Sequence, residues 1–292
     1  MEKRDLIGYR YTGLVDKIFS LYKHNFGVYF KITAAFLVVP IFAKEIVDMR
    51  WGLPALTSGF FGSPSAQPPD PFAGDFPFNA GLFWEVIGTY CFIGVIDSLV
   101  MALYAGPVIT LTSHKVLGRD IPLMEAFRIG AWKYYTLVLA TIVYLLLTLA
   151  VSVGGMCGTA CGASAAAIYV AVLCGLYMPA IVLEEAGWWE SIRRSVALVK
   201  GMWWFVFRLL AGVTIIQGVL VFTAQMSFSA LANLLVSWNS SLEIFSTVFS
   251  ATGLTLVVLF ARPLLFIAIT LIFYEIKTKK EAFDLEMMIQ NF

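Results

Sequence analysis

From Tyr134 to Leu183 the chain carries no charged side chain, and apolar runs of similar character recur on both sides of it. Such runs are too long for the core helices of a soluble domain. They match the ~20 residues that cross a hydrocarbon layer ~30 Å thick. Only 13% of the residues are charged, half the roughly 25% of an ordinary soluble domain. The chain therefore reads as an all-α integral membrane protein. Its formal net charge of +1 offers no basic field that would argue for nucleic acid.

The apolar pattern predicts six transmembrane spans, at residues 26–47, 82–112, 136–153, 163–182, 204–224 and 242–274. Pro40 lies inside the first, and Gly106–Pro107 and Arg262–Pro263 are expected to kink the second and the sixth. Lys44 and Asp48, four residues apart, could pair on one helix face at the end of the first span. Residues 51–80 are too rich in Pro and Gly for a long helix, yet carry Phe60, Phe61, Phe72, Phe76 and Phe78. An outer loop folded onto the membrane interface and a flexible connector both fit that composition. Segment 225–241 mixes LANLLV with SWNSS and reads as an outer interfacial helix. Between the third and fourth spans GGMCGTACG makes a tight turn. Gly154, Gly158 and Gly162 recur at one helical spacing, as do Ala163, Ala167, Ala171 and Gly175. Small residues spaced this way let helices approach closely in lipid.

Three stretches, VDKIFSLYKHNFGVYF, MEAFRIGAWKYYTLV and WESIRRSVALVKGMWWFVF, each join an amphipathic helix to a basic and aromatic step and then to a span. The third is the clearest. Ile192, Val196 and Val199 recur at helical spacing, Glu190, Arg193, Arg194 and Lys200 lie opposite, and Trp203, Trp204 and Phe205 mark entry into lipid. It predicts a helix lying on the membrane surface with Trp189 and Ile192 in the acyl boundary. In the second stretch Asp120 caps the helix, and Leu123, Met124 and Phe127 are expected to face the membrane. In the first, Leu14, Ile18, Leu21 and Tyr22 share one side. The chain is then one polytopic domain, 1–292, built as three parallel helix-plus-hairpin units, 12–112, 120–182 and 187–275. An amphipathic tail, 276–292, should return to the inner surface.

Lys and Arg collect in the N-terminal arm, in 113–133, in the central loop and in the tail, while 154–162 and 225–242 hold none. By the positive-inside rule both termini are cytoplasmic. The charged, amphipathic start has no signal-peptide apolar region with a cleavage site, so multi-pass insertion in the inner (plasma) membrane is expected.

LGRDIPLMEAFR, LEEAGWWESIRRSVALVKGMWW and RPLLFIAITLIFYEIKTKKEAFDLEMM together resemble the loop, central helix and last span of the "glycerophosphoryl diester phosphodiesterase membrane domain" proteins of prokaryotes. The resemblance covers nearly the whole chain and implies an uncharacterised polytopic membrane protein. That family is named for members fused to a separate phosphodiesterase. No such catalytic domain is expected here, so the resemblance implies no hydrolase activity. Arg262, ahead of Pro263, departs from the apolar or small residue of the family's pattern.

Asp97 and Arg262 lie near the middle of the second and sixth spans. An ionisable side chain at that depth costs about 2.5–3.5 kcal/mol and marks a functional hypothesis by default. Lys115 follows Asp97 by 18 residues and Lys277 follows Arg262 by 15. At ~1.5 Å per residue their depths agree within ~5 Å. They could form a structural ion pair or line a substrate or proton path. Cys157 and Cys161 flank an outer turn and would form a disulfide if their Cα atoms lie about 4.4–6.8 Å apart. Free thiols are the alternative. Cys91 and Cys174 read as ordinary span residues. No metal site is expected, because the remaining soft ligands are only His24 and His114, both placed on the cytoplasmic side. HExxH, GxSxG, P-loop and GxGxxG patterns do not occur. Ser195 and Lys200 are five apart on one helix, off a common face, which argues against a Ser-Lys dyad. Tyr274 and Glu275 read as interface anchors. Neither an enzyme nor a cofactor is indicated, with an intramembrane hydrolase a distant third reading.

Two functional readings remain. In the first, Arg128, Lys133, Arg193, Arg194 and Lys200 bind anionic head groups, and a non-enzymatic protein organises the inner leaflet. In the second, a small carrier or channel has Asp97 and Arg262 along its path. Membrane lipids are the expected partners, with a homo-oligomer or another membrane protein also open.

Overall fold

Apolar length sets the long helices, and glycine, proline and polar steps set where they end. The computed structural model describes residues 11–51, 80–156, 160–239 and 242–290, with the side chains of 11–12, 39–94, 152–161, 163, 243–244, 247, 251 and 281–292 outside that description. All regular structure among the described residues is helical. The helices are α1 Tyr11–His24, α2 Phe26–Trp51, α3 Ala80–Val116, α4 Leu123–Trp132, α5 Tyr134–Met156, α6 Ala160–Cys174, α7 Tyr177–Glu184, α8 Trp188–Val199, α9 Trp203–Trp238 and α10 Glu243–Gln290. Among the described residues five stretches are long and apolar enough to cross a membrane: Val95–Val116, Tyr134–Val151, Ser164–Glu184, Trp203–Trp238 and Val248–Lys280. The expected first span is helical, and the part of it whose side chains are described, Phe26–Val38, is apolar but shorter. The side chains of Lys44, Asp48 and Cys161, and residues 52–79 and 157–159 of the expected loop and turn, lie outside the description.

The short helices α1, α4 and α8 each run into a long helix across a brief elbow. At the first elbow the Asn25 carbonyl accepts from the backbone N–H groups of Val28 and Tyr29, while its side-chain amide donates to Leu21 O. At the second, Lys133 keeps helical dihedrals. The third needs Gly201, whose φ of +90° favours a residue without Cβ.

The structure departs from the sequence expectations in several places. The fourth span is two helices, broken at Gly175–Leu176. The separate interfacial helix expected at 225–241 is instead a continuation of α9 through Gln225 to Trp238. Its polar side chains do not end it, because Phe228 packs edge-on against Phe249 of α10, with ring centroids 5.7 Å apart. The Phe228 ring also fills the space over Gly253, where a Cβ would come within 2.4 Å of it. The tail continues α10 to Gln290 as one helix, without a break before residue 276.

Finally, the apolar line of α8 faces the protein, so Ile192 does not reach an acyl boundary. Ile192, Leu198 and Val199 are buried in the protein with Ser191 and Ser195, while Trp188 and Trp189 are exposed. The same holds in part for α4: Leu123 and Phe127 pack against the protein core, and only Met124 of the three points outward.

Burial is concentrated at the end of the bundle where the short helices lie. Leu14 and Ile18 of α1, 104–113 of α3, 176–182 of α7 and 264–273 of α10 are almost wholly buried there. Beyond it, Ile215, Phe222, Leu234 and Trp238 of α9 and Phe245 and Val248 of α10 are exposed. A bundle packed at one end and apolar on its surface elsewhere suits a lipid solvent.

Candidate functional site

Three helices that receive a short helix carry a proline, Pro107 in α3, Pro179 in α7 and Pro263 in α10. A short helix docks at or beside each of them. Proline has no N–H to donate and leaves a carbonyl one turn back without its helical partner. At Pro263 those carbonyls are satisfied from α1 and α2. Tyr22 Oη donates to Phe260 O at 2.7 Å, and Thr33 Oγ1 donates to Leu259 O at 3.3 Å. Phe26 and Phe30 stack on Phe260 at 5.3 and 5.2 Å. Gln217 of α9 adds a donor to Ala261 O at 2.5 Å.

At Pro107 the contact is backbone on backbone. A Cβ on Gly130 of α4 would lie 2.3 Å from Pro107 Cδ, and one on Gly106 would lie 2.9 Å from Gly130 Cα. Only two glycines allow α4 this close.

The third docking point is the α6–α7 break. Ser195 of α8, fully buried, accepts from Leu176 N–H at 3.1 Å and donates to Leu173 O at 2.7 Å. One hydroxyl thus satisfies both sides of a broken helix in an apolar setting. Ser195→Ala should lower stability by about 2–3 kcal/mol, since a buried donor and acceptor are left unmade. The check is a lower melting temperature in detergent, with Ser227→Ala, an exposed serine of α9, near wild type. Equal melting temperatures for the two variants would remove the role assigned to Ser195.

Two consecutive glutamates end α7 and gather cations from three directions. Glu184 accepts from Arg194 Nε at 2.8 Å, Arg194 Nη2 at 3.0 Å and Lys277 Nζ at 2.7 Å. Glu185, at a positive φ of 57°, accepts from Lys133 Nζ at 3.0 Å. Lys280 Nζ donates to Ala197 O and Lys200 O, at 2.6 and 2.9 Å, and so caps the end of α8. The head-group cations expected from the sequence therefore divide. Arg194 and Lys133 are engaged within the protein. Arg128, Arg193 and Lys200 are exposed, and their side chains have no protein partner among the described residues.

Asp97 and Arg262 come together: Arg262 Nη2 lies 3.1 Å from Asp97 Oδ2 and 3.3 Å from Oδ1. Their side chains are 42% and 35% exposed on the flank of the bundle. Behind them lies the buried Tyr104 hydroxyl, a neighbour of the guanidinium that makes no hydrogen bond.

Tyr274 and Glu275 are not surface anchors. Tyr274 Oη bonds Ser113 Oγ at 2.7 Å, and Glu275 is buried 2.8 Å from Lys279 Nζ. Both line a cleft of about 30 Å³ between α1, α3 and α10, room for one water. His114 Nδ1 lies 2.9 Å from Thr110 O, and no cluster of metal-ligating side chains occurs among the described residues. Cys174 is buried.

Sequence reasoning missed Ser195, Glu184 and Gly130. Ser191, Ser195 and Leu198 do share one helix face, and that periodicity was the available signal for a polar residue aimed inward. No family model, no curated protein and no solved structure matches this chain.

Proposed function

We propose that the protein is a non-catalytic, multi-pass membrane protein whose cytoplasmic helical layer holds anionic lipid and organises the inner leaflet. The reading takes six spans with both termini cytoplasmic and three parallel units around an approximate threefold axis. Support for the units comes from the docking pattern: α4 sits on α3, α8 on α7, and α1 on α10, which closes a ring. Such an arrangement resembles an uncharacterised membrane domain rather than a hydrolase.

The observation that carries the lipid reading is the set of exposed, unpartnered cations beside exposed aromatics. Arg128 lies one helical turn from Trp132 and Arg193 one turn from Trp189, while Lys200 and Trp204 are both exposed around the elbow between α8 and α9. Aromatic rings at the headgroup level with Lys or Arg alongside suit an anionic interface.

Each free cation near an anionic surface contributes about 1 kcal/mol. Changing Arg128, Arg193 and Lys200 together to Gln should therefore reduce retention of phosphatidylglycerol on the purified protein by about 100-fold relative to phosphatidylcholine. Native mass spectrometry of the detergent-exchanged protein reads this directly. Unchanged retention would sink the proposal.

The carrier reading draws on the Asp97–Arg262 pair, and is the weaker. The pair opens on the flank, and Ile109, Leu111, Ile267 and Ala268 fill the interior toward the packed end.

A further inference from the structure

The short helix α4 has two apolar faces, and only one is used by the bundle. Leu123 and Phe127 pack inward with Ala126 and Gly130. Met124, Arg128 and Trp132 form a separate line at i, i+4 and i+8, with Met124 79% and Trp132 84% exposed. Tyr135, also exposed, follows at the start of α5, and the exposed Ile142, Leu146 and Leu149 continue along that span. The span Tyr134–Val151 is apolar enough to lie in hydrocarbon, so lipid covers its exposed residues. The outward line of α4 adjoins that lipid-covered side at its headgroup end.

We propose that the outward face of α4 is a phospholipid-binding surface. Met124 and Trp132 enter the upper acyl region, and Arg128 between them holds the phosphate of one anionic lipid. The proposal rests on the lipid reading above and narrows it to one helix. An arginine flanked by apolar neighbours one turn on either side can bury its stem among chains and lift its guanidinium to the phosphate. The exposed Arg119 precedes α4 and adds a second positive charge. Glu125 is exposed on α4 three residues before Arg128 and is the acidic group the phosphate must avoid. The close Gly106–Gly130 approach holds α4 rigidly against α3, which keeps its outward face fixed.

The test uses the full chain in nanodiscs of phosphatidylcholine with phosphatidylglycerol. R128Q should lower phosphatidylglycerol retention about fivefold, the fold-change that ~1 kcal/mol corresponds to. R128K should keep most of it. The fluorescence difference between the protein and W132F should be quenched by acyl-brominated lipid and not by aqueous iodide. If R193Q with K200Q lowers retention while R128Q does not, the α4 proposal fails and the wider lipid reading stands. If neither does, both fail. Quenching by iodide, or a change of oligomeric state in M124N, would make this face a water-exposed or protein-binding surface and overturn the proposal.

Discussion

Gly130→Val is expected to cost about 3 kcal/mol or more of stability, the upper range for overpacking, because the strain falls on backbone rather than on a movable side chain. A Cβ at this position would sit 2.3 Å from Pro107 Cδ and 2.6 Å from Pro107 N. Neither atom can rotate away, and α3 is held in place by the core around Tyr104, Val108 and Ile109. The only relief is to lift α4 off α3, which exposes Leu123 and Phe127 and disturbs the elbow at Lys133. Gly130→Ala should therefore be destabilising as well, against the roughly 0.5–1 kcal/mol that Ala normally gains over Gly within a helix. Gly218 of α9 supplies the contrast, since nothing lies within 4 Å of a Cβ built there. Gly218→Ala should be neutral or stabilising. Melting temperatures in detergent decide the matter, and a Gly130→Ala protein as stable as Gly218→Ala would mean that α4 does not dock at this point.

The helices were legible from the sequence because each signal is local. Apolar length marks the span through Tyr134–Val151, and the segregation of Arg193, Arg194 and Lys200 from Ile192 and Val199 marks α8. What each face touches is not local. The apolar line of α8 reads equally well as lipid-facing or protein-facing until the α6–α7 break supplies an acceptor and a donor for Ser195. Arg193 and Arg194 are adjacent and chemically identical in the sequence. Glu184 captures only the second, because successive helix residues point about 100° apart.

The break at Gly175–Leu176 was hidden for a related reason. A glycine in an apolar run signals close packing as readily as a helix end, and the deciding partner, Ser195, lies a whole element away. The length of α9 was misread because SWNSS is polar. Phe228 needs the gap over Gly253, and only the placement of α10 reveals it. For Asp97 and Arg262 the depth could be counted along each helix. The flank they share, and the Tyr104 hydroxyl behind them, could not.

Replacing either member of that pair should be worse than replacing both. The two side chains meet at 3.1 Å on the bundle's flank, in stretches long and apolar enough to cross a membrane, and at such depth an uncompensated charge would cost about 2.5–3.5 kcal/mol. The two single variants should not be equal. Arg262→Gln leaves a carboxylate that can take up a proton and become neutral, which limits the cost. Asp97→Asn leaves a guanidinium that stays charged at any working pH, with the buried Tyr104 hydroxyl as its remaining polar neighbour. Asp97→Asn should therefore show the larger fall in melting temperature. The double variant should regain part of the loss, because the surviving charge is gone. A double-mutant cycle in detergent or nanodiscs measures this as a coupling energy, which residues in direct contact show at roughly 0.5–3 kcal/mol. Additive losses would dismiss the structural pair. Three variants as stable as the parent, with a loss of solute movement in reconstituted vesicles, would instead move the pair from scaffold to transport path.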